Sequence, residues 1–365
     1  MKLSLTQENL SKALGSVGRI VSTRATLPVL SNVLLSTDGS RLRLSATNLE
    51  IGINYWIGSS IEKEGSVTVP ARLLADFVAS LPSGNIKLES NGATLSIKAP
   101  NYESKINGIP ADDFPTIPEI DNKPVLVVNS VQLKEALAQV VIAASVDEAR
   151  PVLAGVLLYT DDEHLYVVAT DSYRLAEKKL PLPDNTGEFK VIIPVRTMQE
   201  LLKLISDVNE DVELYVDESQ AMFRLGDVEI ISRIVEGQFP PYQQIIPTEA
   251  KTSFDINTAE FSRLVKVASL FARESAGSIR MEIREEGEVA LVSSDSEIGG
   301  NKSSANCEVS GADGEISLNA RYMQDALSVI KSKEVRFSMN DKLSACVLAP
   351  VDDDSYLHIV MPLRT

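Results

Sequence analysis

Very few residues in this chain are of the types that do chemistry. Of 365 residues only two are histidines, His164 and His358, so imidazole acid–base catalysis or a multi-histidine metal site has little to draw on. His164 follows Asp161-Asp162-Glu163 in what reads as a turn, a setting that suits a solvated side chain. The two cysteines, Cys307 and Cys346, lie 39 apart (346 − 307) in strand-like surroundings, where packed core thiols explain them better than a disulfide or a metal pair. Asp352-Asp353-Asp354 has the charge to hold a hard cation, yet a hairpin tip between two strands is the simpler account. Asp171, in Ala-Thr-Asp-Ser-Tyr-Arg, could act as a general base. Its counterpart in an earlier stretch of similar sequence is Asn48, so a turn-forming role fits both. The sequence contains no phosphate-binding P-loop, no G-x-G-x-x-G fingerprint and no G-x-S-x-G elbow. No catalytic residue, metal or cofactor is expected. The residues favour a body that binds.

The charges suit binding of a particular kind. Lys and Arg number 35 against 51 Asp and Glu, a net −16, which argues against tight nucleic-acid binding through one large basic patch. Segregated charge could still leave a basic surface on an acidic body. Lys12 and Arg19, then Lys134, then Arg263 and Lys266 fall on the polar faces of three corresponding helix-like stretches. Arg72, then Arg196 and Lys203, then Arg321, Lys331 and Lys333 fall on or beside a second set. Any one of these is ordinarily just solvated. The same sign recurring in equivalent elements points to phosphate contacts, which position a duplex without reading its sequence.

Those elements recur because the chain is built three times over. Val69-Pro70-Ala71-Arg72, Ile193-Pro194-Val195-Arg196 and Leu318-Asn319-Ala320-Arg321 each end a strand-like run in a turn and open an apolar, helix-like stretch. Their arginines are 124 (196 − 72) and 125 (321 − 196) apart. Pro28–Leu35 returns as Pro151–Leu158, and Ala46-Thr47-Asn48 as Ala169-Thr170-Asp171, both at a shift of 123 (151 − 28; 169 − 46). Ser293-Ser294-Asp295 is a diverged third version, and Phe114-Pro115 and Phe239-Pro240 close the first two copies. The period is far above the ~20–50 residues of solenoid repeats, so each copy is of domain size. Polar, proline-containing joins near 118–123 and 247–252 delimit domains 1–121, 122–249 and 250–365.

Within a copy, opening helices are expected at Leu5–Ser22, Val128–Ser145 and Ile256–Arg273, the first capped by Thr6 ahead of Leu10, Leu14, Val17 and Val21. In copy one, alternation places strands at Val33–Leu35, at Leu42 and Leu44, and at Leu49–Tyr55. A second helix is expected at Leu73–Leu81, followed by strands at Ile86–Glu89, Thr94–Lys98 and Ser104–Ile109, with a hairpin turn at Asn91-Gly92. Two helices and about eight short strands per copy make an α+β unit dominated by antiparallel sheet. No run approaches the ~18 apolar residues of a membrane span. Met1–Leu5 opens no secretory h-region, so a cytoplasmic protein with no membrane partner is expected.

Taken in order, Leu27–Asn32, Val69–Arg72, Asp113-Phe114-Pro115, Ala169–Leu175, Gly237–Pro240 and Val360–Arg364 resemble the bacterial sliding clamp family, the beta subunits of DNA polymerase III. The resemblance covers essentially the whole chain. It implies three clamp domains, a head-to-tail homodimer closing a six-domain ring, and helices lining a hole threaded by duplex DNA. The implied function is that of a processivity factor with no catalytic chemistry of its own. The implied partners are double-stranded DNA held topologically, a second copy of the chain, the replicative polymerase alpha subunit, clamp-loader subunits and other proteins carrying clamp-binding peptides.

For the peptide pocket the resemblance implies Arg150, Leu153, Thr170, Ser172, Tyr173, Arg174 and Leu175, then Pro240 and Ile245, then Asn319, Tyr322 and Leu343. The terminal run Val360, Met361, Pro362, Leu363 and Arg364 completes it. A groove lined by Leu153, Leu175, Pro240, Val360 and Met361 would accept hydrophobic anchors from a peptide. For DNA it implies Arg24, Arg72 and the loop Asp147–Val152, where Pro151 and Val152 replace aromatics of some members; Lys12, Arg196 and Lys203 join them from the helix faces. Ser104 and Ile106 of one chain and Leu270 and Phe271 of the other are the implied dimer contacts. Tyr173 stands where many members carry His, Ala276 replaces a larger pocket-rim residue, and Thr365 is polar where a hydrophobic residue is common. Two other readings stay open. One is an enzyme with its site between copies, which an acid–base pair in a single copy would favour. The other is a monomeric peptide-binding scaffold, which the state of association would separate from a ring.

Overall fold

The computed structural model describes residues 1–21, 27–182, 186–205, 209–296 and 299–364. Arg24 and Thr365 lie outside these residues, as does the last residue of the expected helix Leu5–Ser22. The chain divides into two compact units, Met1–Val131 with Gln199–Ile234, and Gln132–Met198 with Val235–Thr365. Copy two of the sequence repeat is therefore shared between them.

In the first unit, one antiparallel sheet orders Ser60–Lys63, Lys2–Thr6, Asn85–Asn91, Thr94–Ala99 and Tyr102–Asn107 from edge to edge. The other orders Leu126–Asn129, Asp211–Val216, Gln220–Leu225, Val228–Arg233, Ile51–Gly58, Arg41–Thr47, Asn32–Asp38 and Ser66–Pro70. Its centre joins the copies, because Val228–Arg233 of copy two pairs with Ile51–Gly58 of copy one, Ile230 opposite Ile53. Helices α1 (Gln7–Val17) and α2 (Ala71–Ala79) pack on each other. Leu10, Ala13, Leu14 and Val17 line the buried face of α1 at helical spacing, and each large side chain there contributes about 1.5–3 kcal/mol.

The second unit repeats the device. Its larger sheet orders Lys190–Pro194, Gly155–Thr160, His164–Thr170, Arg174–Pro181, Tyr356–Val360, Cys346–Pro350, Glu334–Met339, Thr252–Asn257 and Glu308–Gly311. Arg174–Pro181 of copy two pairs with Tyr356–Val360 of copy three, Leu175 opposite Ile359. The smaller sheet orders Gly299–Asn306, Glu288–Ser296, Ser278–Arg284 and Gly314–Asn319. Joining copies strand to strand covers edges that an isolated copy would leave open to aggregation. In chain order, copy two supplies α3 (Ser130–Val140) and α4 (Val195–Leu204), and copy three α5 (Thr258–Phe271) and α6 (Ala320–Val329).

Local chemistry sets the element ends, and several expectations shift. Thr6 caps α1 by accepting from the Asn9 N–H, and Asn257 caps α5 by accepting from Glu260. Each opening helix is shorter than its apolar run, because the leading residues form strands at Lys2–Thr6, Leu126–Asn129 and Thr252–Asn257. A few residues of alternating pattern do not separate from a helical one by periodicity alone. The Val-Pro-Ala-Arg stretch is no separate turn: Pro70 ends a strand and Ala71 begins α2 directly. Leu49 leaves its expected strand for a turn, at φ 75°, half exposed. The Asn91-Gly92 hairpin forms as expected, with Gly92 at φ 57°, a conformation that suits glycine.

Candidate partner-peptide groove and nucleic-acid faces

The groove residues gather in the second unit around the hairpin turn Thr170–Arg174. Asp171 Oδ1 accepts from the Tyr173 and Arg174 N–H groups at 2.9 and 3.0 Å. Thr170 Oγ1 donates to the Arg174 carbonyl at 2.7 Å and accepts from Ser172 N at 3.1 Å. Copy one builds the same turn from Asn48, whose Oδ1 accepts from Glu50 and Ile51 at 3.0 and 2.8 Å, and from Thr47, which donates to the Ile51 carbonyl. Asp171 is thus an Asx-turn residue, as the pairing with Asn48 predicts. Ser172 at φ 80° and Leu49 at φ 75° share a left-handed backbone that L-residues seldom adopt. The tight turn leaves the Tyr173 ring 58% exposed at its tip.

Arg174 is not a solvent-facing groove cation. Only 8% exposed, it donates from Nε to Asp171 Oδ2 at 3.1 Å, pairs with Asp325 of α6, and lies with Cζ 4.5 Å from the Tyr322 ring centre. Such a guanidinium, paired on two sides and stacked on a third, ties the turn to α6 and orients Tyr322. Burial raises the Tyr322 phenol above its ordinary range, so it stays a neutral donor at the rim. Asn319 caps α6 by accepting from Arg321 N at 2.9 Å. The terminal run is held by backbone bonds: Met361 N donates to the Tyr173 carbonyl and Leu363 N to the Ser317 carbonyl, each at 2.8 Å.

Beneath lies an apolar cluster of Leu157, Val168, Leu175, Ile192, Phe239, Tyr242, Ala345 and Ile359, with Val152, Ile246, Val347 and Met361 packed against it. Leu175, in this cluster, and Val360, which pairs with Arg174 on the other face of the sheet, are fully buried and not themselves open to a peptide. Met361, Pro362, Leu363 and Leu153 are half-buried; Arg150, Ser172, Pro240, Ile245 and Leu343 are exposed, Leu343 to 64%. Arg150 closes the loop before Leu153, with Nε 3.3 Å from Asp147 and its carbonyl accepting from Leu153 N. A buried floor with accessible apolar rims is what a groove for hydrophobic anchors needs.

The residues that support this floor include some outside the motifs of the sequence. The Tyr242 phenol donates to Glu177 and lies 2.8 Å from the Tyr159 hydroxyl. Burial and then the Glu177 hydrogen bond push that phenol far above its ordinary range. Beside it, the buried Lys178 donates to Asp353 at 2.8 Å and to Ser355 at 2.6 Å, which employs the middle aspartate of Asp352–Asp354. Burial opposes ionisation of Asp353, but the Lys178 and Ser355 hydrogen bonds outweigh it and hold the carboxyl below its ordinary value. The aromatic and proline content of Phe239-Pro240-Pro241-Tyr242 was the available signal for a segment packed on a core.

His358 is fully buried, 3.1 Å from the Tyr356 hydroxyl through Nδ1, and its Nε2 has no partner among the described residues. Burial lowers its pKa to about 3, so it is neutral in the folded chain. His164 is a surface residue beside Asp161 and Glu163. Both cysteines are free thiols; burial raises Cys346 to about 12 and Cys307 to about 11, which makes each a poor nucleophile. Among the described residues no cluster of three or more His, Cys, Asp or Glu is placed to hold a metal ion.

The basic residues proposed for DNA divide by their partners. Lys12 and Arg72 in the first unit, and Arg263, Lys266, Arg321 and Lys333 in the second, are exposed and form no ion pair among the described residues. Arg196 lies 2.5 Å from Glu148, Lys203 2.6 Å from Glu200 and Lys331 3.4 Å from Glu135. Such exposed pairs are worth about 0–1 kcal/mol and exchange readily for phosphate. In the loop Asp147–Val152, Pro151 is exposed, whereas Val152 packs on the apolar cluster and the Asp147 carboxylate is taken up by Arg150 and Ala149 N. Val152 is therefore a core contact and Asp147 a loop staple. Of the residues proposed for subunit contact, Ser104 and Ile106 sit on Tyr102–Asn107, an edge strand of its sheet. Ile106 is only 4% exposed, so its backbone, not its side chain, faces that edge. Leu270 is half exposed and Phe271 half-buried at the end of α5. Ala276 is exposed at φ 53°.

Comparison with known proteins agrees along the whole chain. Residues 1–118, 127–241 and 243–364 match the N-terminal, central and C-terminal domains of the DNA polymerase III beta subunit. The beta sliding clamp of Staphylococcus epidermidis is 32% identical over 375 aligned residues, covering all of both chains. Among solved structures, the DNA polymerase sliding clamp of Bacillus subtilis superposes with a TM-score of 0.96 at 28% identity, covering 100% of this chain and 99% of that one. The DNA polymerase III subunit beta of Pseudomonas aeruginosa gives 0.94 at 28% identity, with both chains fully covered. Among the described residues no helix is long and apolar enough to cross a membrane. Built of three clamp domains of α+β type with antiparallel sheets, this chain belongs to the DNA polymerase III beta subunit family, the beta sliding clamps.

Proposed function

We propose that the chain is a processivity subunit that encircles duplex DNA as a ring and tethers the replicative polymerase to it, with no catalytic chemistry of its own. The observation that carries this reading is family membership over the full length, in a chain whose three repeats each bring basic residues on their helices. Two chains, joined head to tail, close six similar domains into a ring, with domains 1–121, 122–249 and 250–365 in each. The contact uses the edge strand Tyr102–Asn107 of one chain and the Leu270-Phe271 end of α5 of the other, where an open edge and the exposed Leu270 side chain favour pairing. Lys12, Arg24, Arg72, Arg196 and Lys203 meet phosphates weakly and without sequence preference, which permits sliding. Clamp-loader subunits, the polymerase alpha subunit and other clamp-binding proteins dock peptides on the groove of the second unit. The setting is the cytoplasm.

Because the net charge is −16, direct affinity for linear duplex is weak and salt-sensitive. Protein assembled by a clamp loader on a closed DNA circle is expected to stay bound at high salt and to leave once the circle is cut. Equal retention on circular and linear DNA would exclude a ring.

A further inference from the structure

The first unit contains a cleft of about 240 Å³ between strands Asn32–Asp38, Arg41–Thr47 and Ile51–Gly58 and the segment that follows Phe114. Arg43, Ser45, Asn54, Phe114, Ile117 and Glu119 are among its lining residues. The second unit has the same backbone register at this place: Ser45 pairs with Asn54 as Val168 pairs with Glu177, and Ser36 with Arg43 as Tyr159 with Tyr166. Counted from the shared Phe-Pro, Ile117 occupies the position of Tyr242.

In the second unit that space is filled. Tyr242 is 3% exposed and its phenol donates to Glu177, beside the stacked rings of Tyr159 and Tyr166. In the first unit the phenol is missing. Asn54, only 6% exposed, accepts from the Ser45 hydroxyl at 2.7 Å through Oδ1, while its amide NH₂ has no partner among the described residues. That amide lines the open cleft, where an acceptor on a ligand can take its hydrogen bond in place of water. Ile117 lies against Gly52, where a Cβ would come within 3.0 Å of its Cγ2, and so offers an apolar wall and no hydroxyl. Arg43 at the rim is held loosely, 3.9 Å from Glu119 and 3.4 Å from the Ser36 hydroxyl, and can turn its guanidinium onto a ring face.

We infer that this cleft binds a phenolic ring, in the cell a tyrosine side chain of a partner protein. The ring packs against Ile117 and Phe114 beneath Arg43, and its oxygen accepts from the Asn54 amide. The space is ample, since a cavity of about 150 Å³ holds benzene. This site is independent of the peptide groove, which lies in the other unit.

The test uses the full-length protein with N-acetyl-tyrosinamide as probe, read by saturation-transfer NMR and by crystals soaked in 4-iodophenol. Saturable binding is expected at millimolar concentration, with N-acetyl-phenylalaninamide about fivefold weaker for want of the hydrogen bond. The iodine should appear in the cleft beside Ile117. Ile117→Tyr, which supplies the missing ring from within, should abolish binding of the probe. Equal binding of both amides, undiminished binding by a folded Ile117→Tyr, or an iodine position elsewhere overturns the assignment. Should that variant fail to fold, the iodine position in the wild type decides alone.

Discussion

In the second unit Tyr242 lays a buried phenol over the hairpin beside the junction of two copies; in the first, Ile117 holds the equivalent place and a cleft stays open. The difference extends to the peptide groove. Arg174 pairs with Val360 as Ile51 pairs with Ser232, so the first unit offers Ile51, Gly52, Ser232 and Arg233 where the second has Arg174, Leu175, Val360 and Met361. Backbone register and even the left-handed turn residue are common to both. The side chains are not, and they alone determine which surface opens and what it can hold. One scaffold thus presents two different surfaces without any change of fold.

The largest effect should come from opening the filled cleft. Tyr242→Ile removes a buried ring and leaves Glu177 without its phenol donor, at a cost of about 3–4 kcal/mol in urea denaturation. A loss below about 1 kcal/mol would mean that the second unit tolerates an open cleft as the first does. Next come the groove rims. Met361→Ala with Leu343→Ala should weaken a polymerase-derived peptide by about 2–3 kcal/mol in calorimetry, with folding retained, since neither side chain is fully buried. Wild-type affinity would move the partner site elsewhere. Leu175→Ala is the poorer probe, because that residue is in the core and its loss would confound binding with stability.

A third effect separates the units by pH. His358 has a folded pKa of about 3, and an unfolded histidine titrates near 6.5. Between those values the unfolded chain binds the extra proton, so this contribution is complete above about pH 6.5 and is lost as pH falls toward 3, by about 1.4 kcal/mol per pH unit. The register places Ile230 opposite Ile53 where His358 stands opposite Ala176, so the first unit lacks this sensitivity. Amide exchange at pH 7 and pH 5 should show the strand Tyr356–Val360 losing protection relative to Val228–Arg233. His358→Leu should remove the difference; its persistence would assign the acid sensitivity to another group.

The amino-acid sequence by itself determined the threefold repeat, through motifs that recur in the same order, and the α+β class, the helix cap at Thr6 and the Asx turn at Asp171, which rest on neighbours a few residues apart. Apolar spacing and short-range hydrogen bonds are legible wherever the partners are local. Only the tertiary structure decided that the compact units cut through copy two, that Leu175, Val360 and Ile106 are buried, and that Arg174 is clamped between Asp171 and Asp325. These follow from strand pairing between copies, Ile51–Gly58 with Val228–Arg233 and Arg174–Pro181 with Tyr356–Val360. Such pairing depends on edges meeting across more than 150 residues (228 − 58; 356 − 181), beyond the reach of local pattern. Whether Tyr242 fills a cleft or Ile117 leaves one open is likewise a matter of which side chain meets Glu177 or Asn54 across space.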